Sequence, residues 1–557
     1  MSTTQQDTHA PLPQAFPDWY DAKRAKDVVD AYNSGSGSSQ VADEFLAKSI
    51  LPASTGALRD FSYIAPELPE FNASNCVGCM DCVNNCPDTA ILGKAVTEAT
   101  LEAELAKATS DEQRDHLRGL FAETVKYYKS HQKKHEKDPE NNPAGAKFGI
   151  FIDPTKCKGC GECVDVCGDH DALKMIKKTP DNLPQYLADF GFYRSLPATP
   201  TAYINKKDKR DTMLRPSAIR MYAGGAGSCM GCGEASVLRQ MLAITEEVVG
   251  DRFGIVASTG CNTVYGSTYP YNPYAVPWTN SLFENGPADA MGIRAFWDQN
   301  GNNDWILWNI GGDGAMMDIG FQSLSRAIAS GMNIKFLIMD TQVYSNTGGQ
   351  QSTSSYTGQE SKMGAHGKAH AGKFEKRKEI AQILMMHPNV FVGQTIGPMT
   401  THFYKTVERA LRYPGPAVIN VYTTCQPEHG VGDDASARQA RNAMKSRAFP
   451  LLVYDPDAGA TFQERLSLDG NPSPTRDWVM EKDADGNEIP YTFLEWAKTE
   501  GRFKKHFDKH GKTATEGMAD AMKDRLSNWR QLQQLAGITN PDFIAELEAK
   551  KAALASV

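Results

Sequence analysis

This chain of 557 residues reads as an α/β protein with a doubly wound, mostly parallel sheet, joined to a smaller α+β module organised by cysteines. Two observations predict this. Between residues 221 and 454, short apolar segments alternate with helical patterns, and such alternation favours parallel strands with helices on both faces. Upstream, between 65 and 180, eight of the twelve cysteines fall in two tight runs. A hydrophobic content of 41% supplies ample core, and the length suggests about three or four domains.

Residues 1–64 are polar, contain Ser34-Gly35-Ser36-Gly37-Ser38-Ser39, and read as an N-terminal extension. In 65–180 the first run is Cys76-x2-Cys79-x2-Cys82-x3-Cys86-Pro87 and the second is Cys157-x2-Cys160-x2-Cys163-x3-Cys167. Thiolates at this spacing wrap a [4Fe-4S] cubane, and in two-cluster ferredoxins the fourth cysteine of each run serves the other cluster. The expected sets are therefore Cys76, Cys79, Cys82 with Cys167, and Cys157, Cys160, Cys163 with Cys86. Gly168 stands where the motif has proline, which should loosen that turn. A disulfide framework would need an oxidising compartment and usually a small chain. Zinc sites seldom place four cysteines in so tight a row.

Apolar segments at 90–92 and 172–176, with a strand at 148–153, complete a small β-α-β pattern around the cysteines. The charged insertion at about 95–140 reads as one or two solvated helices. Its basic run, 126–137, reads as a solvated face, with a ferredoxin-docking patch as the alternative. Residues 181–220 read as a linker. In 221–454 the predicted strands are 253–258, 305–310, 334–339, 390–395 and 417–422, with helices at 317–330 and 401–412. Residues 455–557 read as a charged, partly helical C-terminal extension without visible chemistry.

In open parallel sheets, ligands bind beyond the carboxyl ends of the strands. Strand 305–310 runs into Gly311-Gly312-Asp313-Gly314, where glycines permit close approach to a phosphate and the helix N-terminus favours the anion. Asp313 offers a hard oxygen to Mg2+, which binds through one or two carboxylates plus substrate phosphates. A hydroxyl from Thr341 and the carbonyl of Val343, after strand 334–339, complete that set. Strand 253–258 ends at Thr259-Gly260-Cys261, and 417–422 ends just before Cys425. Cys261 and Cys425, with Cys229 and Cys232, form the third group of four. Their spacing alone is weaker, since a lone cysteine after a strand is more often packing, but the count of twelve favours ligands.

Gly-Asp-Gly followed by Thr341 and Asn346 resembles the thiamine diphosphate signature. The segments GSCMGCGE (227–234), STGC (258–261), WTNSLFE (278–284), GGDGAMMDIG (311–320) and DTQVYSNTGGQ (340–350) are similar to the pyruvate:ferredoxin oxidoreductase family. So are ILPASTGAL near residue 50, LPEFNASNC before the first run, and the two cysteine runs. The similarity runs from about 50 to 500, apart from the inserted helices. It implies that Cys229, Cys232, Cys261 and Cys425 hold a third [4Fe-4S] cluster near the thiamine. It further implies that Asp313, Thr341 and the Val343 carbonyl hold Mg2+. Gly312, Gly314 and Ala315 would meet the diphosphate, with Glu234, Ser345 and Asn346 at the cofactor.

The implied reaction is oxidative decarboxylation of a 2-oxo acid with coenzyme A, giving an acyl-CoA, CO2 and low-potential electrons for ferredoxin or flavodoxin. Pyruvate is favoured over 2-oxoglutarate by the NSLFE and YSNTGGQ segments, and the synthase direction stays open. A dedicated electron-transfer subunit with a vestigial thiamine fold is the alternative of another class. The activating carboxylate of the family lies in a separate domain, and the resemblance covers only the carboxyl-terminal portion of the single-chain form. A β-type subunit is therefore expected, in a dimer of heteromers with an α-type partner. A net charge of −8 and pI of about 5.9 argue against nucleic acid. No apolar run approaches the roughly 18 residues that would span a bilayer. With no signal peptide visible, a cytoplasmic location is expected.

Overall fold

A computed structural model describes residues 22–40, 51–364, 371–483, 485–508, 510–511 and 514–555. Much of the expected N-terminal extension, 1–21 and 41–50, lies outside the described residues, and with it Ile50 of the ILPASTGAL segment. The described chain divides into two compact units. No helix among the described residues is long and apolar enough to cross a membrane.

The first unit takes in residues up to 207, together with 211–230 and 263–277. Strand β1 (Glu67–Phe71) pairs antiparallel with β5 (Leu173–Lys177), and β2 (Ile91–Thr97), β3 (Phe121–Ala122) and β4 (Ala146–Ile152) form a three-stranded antiparallel sheet. Short helices Asp81–Asn85 and Glu162–Cys167 follow the two cysteine loops. The insertion is more than solvated helix. Helices Glu98–Leu105 and Asp111–Gly119 bury Leu101, Leu105 and Leu117 in a cluster with Val96, Phe151 and Leu196. The stretch expected as a linker also packs. Helix Leu183–Ser195 sets Phe192 and Tyr193 against the same cluster.

Segment 263–277, expected with the thiamine domain, instead joins this unit because its backbone zips onto residues 54–56. Ser54 N donates to the Tyr274 carbonyl (2.9 Å) and Gly56 N to that of Asn272 (3.0 Å). Thr55 Oγ1 accepts from Asn272 N (2.8 Å).

The second unit is an eight-stranded sheet in the order β13-β12-β10-β11-β9-β8-β6-β7. The strands are β6 (Phe253–Ser258), β7 (Trp278–Ser281), β8 (Ile306–Gly312), β9 (Ile334–Asp340), β10 (Phe391–Ile396), β11 (Ala417–Tyr422), β12 (Leu452–Tyr454) and β13 (Leu466–Ser467). From β10 through β7 every pairing is parallel, and only β12 and β13 run antiparallel. Strands covered by helices on both faces need continuous apolar runs, and β6, β9, β10 and β11 are buried at every residue. Register aligns their carboxyl ends, with Gly312 opposite Met339 and Asp340 opposite Tyr422.

The expected C-terminal extension closes this core. Leu466, Leu468, Trp529 and Leu532 join Leu307, Phe336, Ile338 and Val392 in one cluster. Phe493, Trp496, Phe503 and Met518 surround Tyr356 and Tyr422 in another. Trp529, on helix Glu516–Leu535, donates from its indole to the Arg476 carbonyl (2.8 Å) and lies under the Arg447 guanidinium (4.1 Å). Trp529→Ala is expected to cost about 3–5 kcal/mol. The check is a lowered thermal unfolding midpoint together with early proteolytic release of helix Glu516–Leu535.

Candidate functional site

At the carboxyl ends of β6, β8 and β9 the second unit opens into a cleft of about 350 Å³. Its lining brings together Glu234, Cys261, Gly312, Asp313, Gly314, Ala315, Thr341, Val343, Ser345 and Asn346, along with Thr259, Phe283 and Thr347. Asp313, only 1% exposed, sits where β8 turns into a wide helical turn, Gly314–Ile319. Thr341 Oγ1 lies 3.1 Å from Asp313 Oδ1 and 2.9 Å from the Val343 carbonyl. Ser352 and Ser354 hydroxyls donate to Asp313 Oδ2 at 2.5 and 2.8 Å. A side chain at Gly314 would place its Cβ 2.3 Å from the Tyr344 ring, whereas at Gly312 the nearest atom is 3.8 Å away.

Burial first, then repulsion from Asp340, pushes the Asp313 carboxyl from 3.8 up to about 7, against the lowering by the serine hydroxyls. Asp340 is itself ion-paired with the buried Arg377. Carboxylate, hydroxyl and carbonyl oxygens converge at a point short of positive charge. Such a donor set suits a hard divalent cation that shares its remaining positions with phosphate oxygens.

The turn holding Thr341 and Val343 is braced from behind. Gln342 between them adopts φ +57, with its N–H donating to Asp340 Oδ1 (3.1 Å). The Thr341 carbonyl accepts from His429 Nε2 (2.8 Å). Burial, and then Arg502, drives the His429 imidazole well below its usual range, so the ring is neutral with its proton on Nε2. Arg502 donates to the amide oxygens of Gln342 (3.1 Å) and Gln359 (3.2 Å) and pairs with Glu500 (2.5 Å). Tyr422 donates to Glu500 at 3.1 Å.

His429 ends the short helix Gln426–His429, whose preceding residue, Cys425, accepts from His429 N (2.8 Å). Gln426 Nε2 donates to the carbonyl of Gly231, next to Cys232. One strut therefore joins the Cys232 and Cys425 loops to the Thr341 turn. Sequence reasoning missed His429, Glu500, Arg502 and the two serines. The only signal was compositional, charged residues set among aromatics at 500–503. Cys229, by contrast, is exposed and belongs to the first unit.

In the first unit, one cavity is lined by Cys76, Cys79, Cys82 and Cys167, and another by Cys86, Cys157, Cys160 and Cys163. The fourth cysteine of each run thus lies with the other run. The loops share a backbone path, left-handed at Gly78 and Met80 in one and at Gly159 and Gly161 in the other. Asn84 Nδ2 donates to the Met80 carbonyl (2.8 Å), holding the one non-glycine residue among these four. Gly168 takes φ +52, which proline, locked near −65°, cannot adopt. Burial pushes the thiols up, Cys76 to about 11 and Cys157 to about 12. Crowded buried sulfurs ionise only when a metal compensates them, so both cavities fit an iron–sulfur cluster.

Comparison with known proteins matches residues 258–421 to the thiamine pyrophosphate enzyme C-terminal TPP binding domain. Residues 68–91 and 150–169 each match a 4Fe-4S binding domain. The chain is 27% identical to the pyruvate:ferredoxin oxidoreductase of Moorella thermoacetica over 85% of this chain and 42% of that protein. It is 29% identical to the pyruvate synthase subunit PorB of Pyrococcus furiosus over 59% of this chain and 98% of that protein. It thus spans about two fifths of the longer curated relatives that it matches. A solved 2-oxoglutarate:ferredoxin oxidoreductase from Magnetococcus marinus aligns with TM-score 0.31 and 19% identity, over 36% of this chain and 64% of that one. A thiamine pyrophosphate domain and two 4Fe-4S ferredoxin segments therefore lie on this one chain.

The folded Asp313 carboxyl of the cofactor-free chain keeps its proton to about pH 7, while an unfolded aspartate releases it near 3.8. The folded state binds more protons across that window, so this group's contribution to stability falls as pH rises through it. Asp313→Asn removes the penalty. Above pH 7 the cofactor-free variant is expected to melt higher than wild type, yet gain nothing from thiamine diphosphate with Mg2+. A lower melting point for the variant would overturn this account.

Proposed function

We propose that the chain is the thiamine- and cluster-bearing subunit of a 2-oxo acid:ferredoxin or flavodoxin oxidoreductase, acting on pyruvate and coenzyme A in the cytoplasm. The observation that carries this reading is the coexistence, on one polypeptide, of a hard-oxygen cleft at the sheet's carboxyl edge and eight ferredoxin-type cysteines around two cavities. A non-redox thiamine lyase has no use for the second feature. The similarity to named pyruvate oxidoreductases supports pyruvate as substrate.

In this reading Asp313, Thr341 and the Val343 carbonyl hold Mg2+, and Asp313 enters as the anion that the metal restores. The backbone of Gly312, Gly314 and Ala315 receives the diphosphate, with no Cβ at Gly314 to displace Tyr344. Glu234, Ser345 and Asn346 orient the organic part of the cofactor. Bound thiamine diphosphate supplies an electron sink for loss of CO2, and clusters held by the cysteines supply one-electron acceptors. Two clusters fall to the sets Cys76, Cys79, Cys82, Cys167 and Cys86, Cys157, Cys160, Cys163. The third falls to Cys229, Cys232, Cys261 and Cys425. His429 and Arg502 do not line the cleft and act by holding the Thr341 turn.

The carboxylate that activates thiamine is assigned to an α-type partner, in a dimer of heteromers. Similarity to nearly the whole of a pyruvate synthase subunit supports that division. The reaction is reversible in principle, including the CO2-fixing direction. Anaerobic purification from the native host tests the whole reading. It is expected to yield a co-purifying subunit, viologen reduction with pyruvate and coenzyme A, and about twelve irons per chain, four for each cubane. About eight irons would remove the third cluster, and turnover by the isolated chain would refute the divided site.

A further inference from the structure

We propose that the basic face of the helical arm at 125–137 is the docking surface for an electron-carrier protein with an acidic face, an inference that rests on the redox reading above. The arm begins as a wide turn, Val125–Lys129, and continues as helix Ser130–His135. Its two sides differ. Tyr127 is fully buried, stacks on Phe148 (4.6 Å) and donates to Asp211 (2.6 Å). One turn on, the His131 ring meets Tyr203 (5.1 Å), and His135 Nδ1 lies 2.7 Å from the Asn142 carbonyl. Residues four apart share a helix face, so these three fasten the arm to its unit. Lys126 is bound to Asp211 as well.

Lys129, Lys133, Lys134 and Lys137 are exposed and make no ion pair among the described residues. The chain as a whole carries −8, yet 126–137 holds five lysines and one glutamate. A local field of the opposite sign to the whole protein steers an acidic partner towards one place.

That place adjoins a cysteine cavity. A Cβ on Gly78 would lie 2.8 Å from the Tyr127 ring and 3.3 Å from Thr124 Oγ1, so the arm is seated on the Cys76-Val77-Gly78-Cys79 loop. Val77, which lines that cavity, is 40% exposed, and Val125 is 63% exposed. A small apolar spot inside a charged rim is the anatomy of a protein interface. Transient electron-transfer complexes bury less than about 1,200 Å², within reach of a short arm. Nucleic acid would have no use for the apolar centre.

The test uses the intact enzyme complex carrying Lys129→Glu and Lys133→Glu together, neither residue being in the catalytic machinery. With an acidic two-cluster ferredoxin as acceptor, kcat/KM is expected to fall about tenfold at low salt. The wild-type rate should decline as salt is raised while that of the variant stays nearly flat. Reduction of methyl viologen, which needs no docking face, should be unchanged. Equal ferredoxin rates for variant and wild type, or loss of the partner subunit from the variant, overturns the proposal. A wild-type complex that fails to reduce viologen overturns the redox reading and this inference with it.

Discussion

A carboxyl group buried among hydroxyls, with its nearest acidic neighbour already committed to an arginine, is the constraint on which the thiamine domain turns. Placing Asp313 at 1% exposure costs several kcal/mol unless polar groups or charge answer it. Hydroxyls of Ser352 and Ser354 answer part of the cost, and those serines need anchoring of their own. Lys373 Nζ binds the carbonyls of Ser352, Thr353 and Ser355, while Arg377 binds that of Ser354. Two buried cations thus shape the loop around Asp313 without neutralising it. The remaining deficit faces the cleft that Asp313 lines.

The sheet was legible because its parallel strands, covered on both faces, must be apolar throughout. β6 and β11 match the sequence reading at both ends. The strands β8 and β9 continue one or two residues further, to Gly312 and to Asp340, and the cleft lining begins at Gly312 and at Thr341. The oxygen donors at those strand ends were legible for the same reason, since chemistry follows immediately after a hydrophobic run. Arg502 meets Gln342 across 160 residues, and no periodicity records a contact of that separation. The solvated appearance of 95–140 concealed an arm that packs Tyr127, His131 and His135 against its unit while Lys129, Lys133, Lys134 and Lys137 stay exposed.

The ferredoxin segments show how few residues a cluster loop leaves free. Two left-handed residues in each loop turn the chain so that successive sulfurs face one cavity. Met80 replaces one of the four and needs the Asn84 amide to hold it. The exchange of proline for Gly168 follows from backbone angle rather than from slackness. The chain there passes through φ +52, and glycine reaches it without strain.

The brace on the Thr341 turn also bears on synthesis. The residues that line the cleft lie between 234 and 347, but the arginine that fixes their central turn is made 160 residues after Gln342. At ribosomal rates of about 5–20 residues per second, that interval is roughly ten to thirty seconds. The nascent sheet therefore emerges with Asp340 and then His429 in place on that turn, and with Arg502 still to come. The turn between Thr341 and Val343 gains its Arg502 contact only after the Glu500–Arg502 segment has emerged and docked.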